Sequence, residues 1–169
     1  MAKPKHSRRK YIFVSYSTKE IHISLLLSLL WIVFSKEFDL KLTPSALRSG
    51  VSQLDQICQL AKNCSFAVVA LDGLRPNVIF EYGLLRAFGR PIILLKGERA
   101  AIDVEALLGE SAKVVELDIN THFSDVKDEN YAVWSASDPA KTATLLWQEY
   151  RKKEKEIEGY VAIKEPSLW

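Results

Sequence analysis

The stretch "PNVIFEYGLLRAFGRPIILLKGE", residues 76–98, sets Glu81 among apolar side chains. Read as a helix, its neighbours three and four positions away are Asn77, Val78, Leu84 and Leu85, so no basic residue on the same face pairs with it. With Asn77 as the N-cap, N3 is Phe80 and Glu81 is N4, which takes the glutamate out of a capping box. A carboxylate on the apolar side of a helix is costly unless it is hydrogen-bonded or faces a wet cleft. Glu81 is therefore the candidate catalytic group. The competing reading is a structural acid that complements the helix dipole.

The elements that would carry it follow from pattern. "YIFVS" reads as a buried strand, and "STKE" after it as the cap of a helix that runs to Phe34. "FDLKLTP" is a second strand ended by Pro44, and "SGVSQLDQICQLAKNC" a helix with Val51, Leu54, Ile57 and Leu60 or Ala61 at helical spacing. "SFAVVALD" is a continuous apolar run, as a central parallel strand covered on both faces requires. The Glu81 helix comes next, stopped by Gly89, and then the strand "PIILLKG". "DVEALL" reads as a short helix and "AKVVELD" as the fifth strand, with residues 119–137 irregular. Asp138 and Pro139 open a last helix, whose charged second half is expected to project into solvent.

Five alternations of strand and helix predict an α/β fold, a three-layer sandwich around a five-stranded parallel sheet in the flavodoxin-like order 2-1-3-4-5. Ligands of such sheets bind beyond the carboxyl ends of the strands at the switch point, here between the first and third strands. The loops after those strands bring Ser15, Tyr16, Ser17, Asp72, Arg75 and Asn77 to one crevice as candidate substrate-binding residues, with Glu81 above it.

"YIFVSYS" followed by "FAVVALDGLRPNVIFEYGLLRAFGRPIILLKG" resembles the TIR-like family of bacterial nucleotide-binding proteins, over about residues 11–98. The Glu-x-Gly pattern is also similar to that of nucleoside deoxyribosyltransferases. Both resemblances imply that Glu81 is catalytic at an N-glycosidic bond, and the first implies NAD as substrate, with activation by self-assembly in defence or stress signalling. The residue type suits that chemistry. An oxocarbenium-like centre is stabilised or trapped by a carboxylate, and nicotinamide leaves as a neutral base without a partnered acid. Hydroxyls and amides of Ser15, Tyr16 and Ser17 at a helix start suit ribose or diphosphate. Two alternatives stay open: a nucleotide or deoxynucleoside N-glycosidase, and a non-catalytic binding or scaffolding module.

Composition narrows the rest. With 169 residues, 48% hydrophobic and 26% charged, the chain suits one domain, expected over residues 10–169. The net charge of +2 argues against nucleic acid as a partner, and its excess sits in a basic arm, residues 1–9, expected to be flexible. The uncharged run from Ile21 to Phe34 is too short for a bilayer core of about 30 Å, so no membrane contact is expected. Trp31 shares a helical stripe there with Ser24, Ser28 and Ser35, which points to a homo-oligomer contact through this helix. Cys58 and Cys64 match no redox or zinc spacing, and His6, His22 and His122 are scattered. No metal and no cofactor is expected, NAD being the substrate, and the expected location is the cytoplasm. Tyr131 and Trp134 are candidates either for stacking on a base or for pinning their loop to the body.

Overall fold

Apolar runs with no room for a solvent face make the inner strands. In the computed structural model, which describes residues 10–20, 22–43, 52–72, 75–98 and 130–163, these are β1 (Tyr11–Ser15), β3 (Phe66–Ala70) and β4 (Ile92–Gly97). β2 (Asp39–Leu42) and β5 (Ala132–Trp134) flank them, giving a parallel sheet in the order β2-β1-β3-β4-β5. The register sets Val14 against Leu42 on one side and Val68 on the other, so β1 and its two neighbours end at the same level.

Alternate side chains serve two helical layers, as the period of a strand dictates. Ile12, Val14, Phe66, Val68, Ile93 and Leu95 pack with α1 (Ile23–Phe34) and α4 (Pro139–Ile163). Phe13, Ala67, Val69 and Leu94 pack with α2 (Gln53–Asn63) and α3 (Pro76–Ala87). Phe34, Phe38, Phe66 and Tyr150 form an edge-on aromatic cluster that joins α1, β3 and α4, with Phe34 and Phe66 centroids 5.7 Å apart.

Several local expectations change. The fifth strand is Ala132–Trp134, inside the segment read as irregular; "AKVVELD" and "DVEALL" lie outside the described residues, as does the basic arm. His22, not the "STKE" segment, is the N-cap of α1, without a side-chain cap bond. Ser52 caps α2 by accepting from the Asp55 N–H, and this register turns Leu54 out to solvent. The Asp138 cap is as expected, accepting from the Lys141 N–H at 2.9 Å. The charged half of α4 carries exposed pairs such as Arg151 with Glu154, yet it does not simply project, because Ile157 is buried and the Tyr160 ring covers the Arg90 guanidinium at 3.8 Å. Gly89, at φ 61°, ends α3 where a Cβ would be strained.

Among the described residues no helix is long and apolar enough to cross a membrane. The outer face of α1 is apolar all the same: Trp31 is 60% and Ile32 68% exposed, beside exposed Ser24 and Ser28.

Candidate functional site

The start of α3 fixes where along the helix Glu81 falls. Arg75 is the N-cap and Pro76 the first helical residue, so Asn77 is N2 and Glu81 lies in the second turn, not at N4. The helix dipole acts on the first turn, and there is no cap bond for a glutamate at this depth to make. The buried face of α3 is Val78, Glu81, Tyr82 and Leu85, a regular core stripe with a carboxylate in it. Glu81 is 3% exposed.

Two hydroxyls hold that carboxylate. Ser15 Oγ, at the end of β1, donates to Glu81 Oε2 at 2.5 Å, and Thr43 Oγ1, just past β2, lies 3.3 Å from the same oxygen. The Thr43 hydroxyl is also 3.3 Å from the Val14 carbonyl. Both contacts fall on Oε2, and among the described residues Oε1 accepts no hydrogen bond. Burial pushes the Glu81 carboxyl above its ordinary 4.5, and the Ser15 and Thr43 hydrogen bonds oppose the rise. Burial and the charge of Glu81 push the Tyr16 phenol up as well.

A cleft of about 370 Å³ opens in front of Glu81, within the size range of small-molecule sites. Tyr16, Ser17, Thr18 and Lys19 line it from the loop after β1, Thr43 from the end of β2, Gln53 and Ile57 from α2, and Arg75, Asn77 and Glu81 from α3. Tyr16, Ser17, Arg75, Asn77 and Glu81 are thus brought together as the sequence suggests. Ser15 lies behind the cleft, wholly buried, with its hydroxyl committed to Glu81. Asp72 lies elsewhere: it is absent from the lining and accepts from the Gly97 N–H at 2.6 Å and from Trp134 Nε1 at 3.0 Å. Trp134 is buried by this contact, which is the pinning role rather than the stacking one, and Tyr131 sits near Lys96.

Among the described residues no group of three His, Cys, Asp or Glu side chains gathers to hold a metal ion. No protein-family model matches the sequence, and no curated protein matches it. A solved structure does: the TIR domains of the activated Roq1 resistosome directly recognising the pathogen effector XopQ. The TM-score is 0.54 at 12% sequence identity, over 83% of this chain and 98% of that one. The fold is TIR-like.

At that identity the likeness speaks for architecture, so the residues of this TIR-like domain must argue their own chemistry. Thr43 and Lys19 were not among the sequence candidates. The cue for Thr43 lay in the strand order, which sets the end of β2 beside the end of β1 and hence a hydroxyl beside Ser15. Because the folded Glu81 carboxyl titrates above 4.5, any reaction that needs it ionised is expected to lose rate on acidification through that raised value. A pH profile of kcat/KM in the parent, which reports the ligand-free protein, is the check, and an acid limb at or below the ordinary carboxylate value would contradict it.

Proposed function

We propose that this domain is an N-glycosidic hydrolase that cleaves the nicotinamide–ribose bond of NAD, with Glu81 as its catalytic carboxylate. The observation that carries the reading is the division of labour on Glu81: Oε2 is held by Ser15 and Thr43, while Oε1 has no hydrogen-bond partner among the described residues of a cleft-lining side chain. As the bond to the base lengthens, positive charge develops on the anomeric carbon, and an ionised Oε1 stabilises or captures it. A buried carboxylate interacts with that charge more strongly than one in water. Water then completes the hydrolysis. Nicotinamide departs neutral, so the cleft needs no second acid to protonate it.

The test is incubation of purified protein with NAD and, separately, with deoxynucleotides, followed by chromatography of the released base over a series of protein concentrations. Nicotinamide release supports the reading. Release from deoxynucleotides alone would favour the nucleotide N-glycosidase, and no release at any concentration would leave a binding or scaffolding module.

Assembly belongs to the same proposal. The solved neighbour comes from an activated resistosome, and the exposed Trp31 and Ile32 of α1 offer this chain an apolar contact with a second copy. Trp31→Glu is expected to abolish concentration-dependent sedimentation and any concentration dependence of turnover, without lowering the melting temperature. A parent that is monomeric at high concentration would overturn this part.

A further inference from the structure

We propose that Lys19 and Arg75 form a phosphate clamp, so that the cleft selects a 5′-phosphorylated ribonucleotide over the corresponding nucleoside. This rests on the reading of the cleft as a nucleotide site and adds the group that specifies its substrate. The two side chains come from different elements, Lys19 from the loop after β1 and Arg75 from the N-cap of α3, and both line the cleft that Glu81 lines. The Arg75 carbonyl accepts from the Val78 and Ile79 N–H groups at 3.0 and 3.1 Å, which fixes the root of the side chain at the helix start.

The guanidinium is the informative member. Arg75 Nε is shut off from solvent and has no hydrogen-bond partner among the described residues. A buried donor left without an acceptor is costly, and a turn of this cleft-lining side chain toward an anion would relieve it. No ion pair joins Arg75 or Lys19 to a carboxylate among the described residues. One lining thus holds a carboxylate, Glu81, two cations, Lys19 and Arg75, and the Ser17 and Thr18 hydroxyls. A ribose placed with its anomeric carbon at Glu81 needs its 5′ substituent neutralised at some distance. An ammonium and a guanidinium with open donors are the groups that bind phosphate. A nucleoside offers them nothing, and leaves the Arg75 donor as it stands.

The experiment uses the full chain carrying Glu81→Gln, so that ligand is not consumed, and titrates it calorimetrically with nicotinamide mononucleotide and with nicotinamide riboside, which differ by the 5′-phosphate. The mononucleotide is expected to bind at least about tenfold more tightly, as charge-assisted hydrogen bonds require. Adding Lys19→Met or Arg75→Gln should each reduce that advantage, and both together should erase it while the riboside affinity is unchanged. Arg75→Lys, which keeps the charge, should retain part of it, and melting curves verify that each variant is folded. Equal affinities, no binding of the mononucleotide, or an equal loss for both ligands would overturn the clamp. Base release by the parent chain is measured separately. A parent that releases base while Glu81→Gln binds both ligands alike keeps the glycosidic reading and rejects the clamp; a silent parent whose variant still discriminates does the reverse.

Discussion

Glu81→Gln is expected to lower base release by about 100-fold or more while leaving the domain at least as stable as the parent. The two effects have one cause. Glutamine keeps the shape, and its amide oxygen can take the place of Oε2 before Ser15 and Thr43, but no negative charge faces the cleft. Losing a preorganised charge from a transition state costs about 3 to 4 kcal/mol. In the ground state that charge is a burden, since burial holds the Glu81 carboxyl above 4.5. The sign for stability follows from linkage. Below the ordinary carboxylate range both folded and unfolded chains are protonated at this site. As pH rises past 4.5 the unfolded chain ionises first, so the contribution of Glu81 to stability falls as pH climbs through the folded value. Melting temperatures of parent and variant across pH should therefore diverge upward in favour of glutamine. Retained turnover, or a loss of several kcal/mol of stability at neutral pH, would make Glu81 a structural residue.

Asp72→Ala is expected to have the opposite profile: a loss of about 3 kcal/mol in stability, with turnover per folded molecule within a few-fold of the parent. The Gly97 N–H and Trp134 Nε1–H both end on this carboxylate, and each buried donor left without an acceptor costs about 1 to 3 kcal/mol. Part of that is offset, because burial raises the Asp72 carboxyl and its removal relieves a desolvation cost. The damage is local in origin. β5 is three residues long and its ladder runs along β4, so the Trp134 bond to the end of β3 is a large share of its attachment. Gly97 belongs to the same arrangement, since a Cβ there would come within 2.6 Å of Asp72 Oδ1. Chemical denaturation followed by tryptophan emission gives the stability, and kinetics on the folded fraction give the rest. Unchanged stability with a collapse in kcat/KM would return Asp72 to the substrate.

These two carboxylates show what was legible in the sequence. Both end up at the carboxyl ends of strands, as fold logic requires, and the odd setting of Glu81 was visible in its helical neighbours alone. Asp72 could not be sorted in the same way, because its partners are 25 and 62 positions away and no local pattern announces them. β1, β3 and β4 were legible because strands buried on both faces must be continuously apolar. β5 was not: in Ala132–Trp134 the middle residue is exposed, and three alternating positions carry too little periodicity to stand out from a loop. Leu54 misled for a related reason. The amphipathic spacing of α2 admits more than one register, and packing on α3 and the sheet selects the one that buries Ala61.

Thr43 ties the margin of the sheet to its chemistry. It follows β2, the outer strand, and its one hydroxyl proton faces two acceptors, the Val14 carbonyl and Glu81 Oε2, each at 3.3 Å. A proton given to the backbone steadies the strand end, and one given to the carboxylate lowers the cost of its ionisation. The two sites compete for one bond, and competition of this kind is a coupling free energy that works in both directions. Whatever reseats the outer strand alters how readily Glu81 carries charge, and whatever changes the charge on Glu81 alters how firmly that strand is seated.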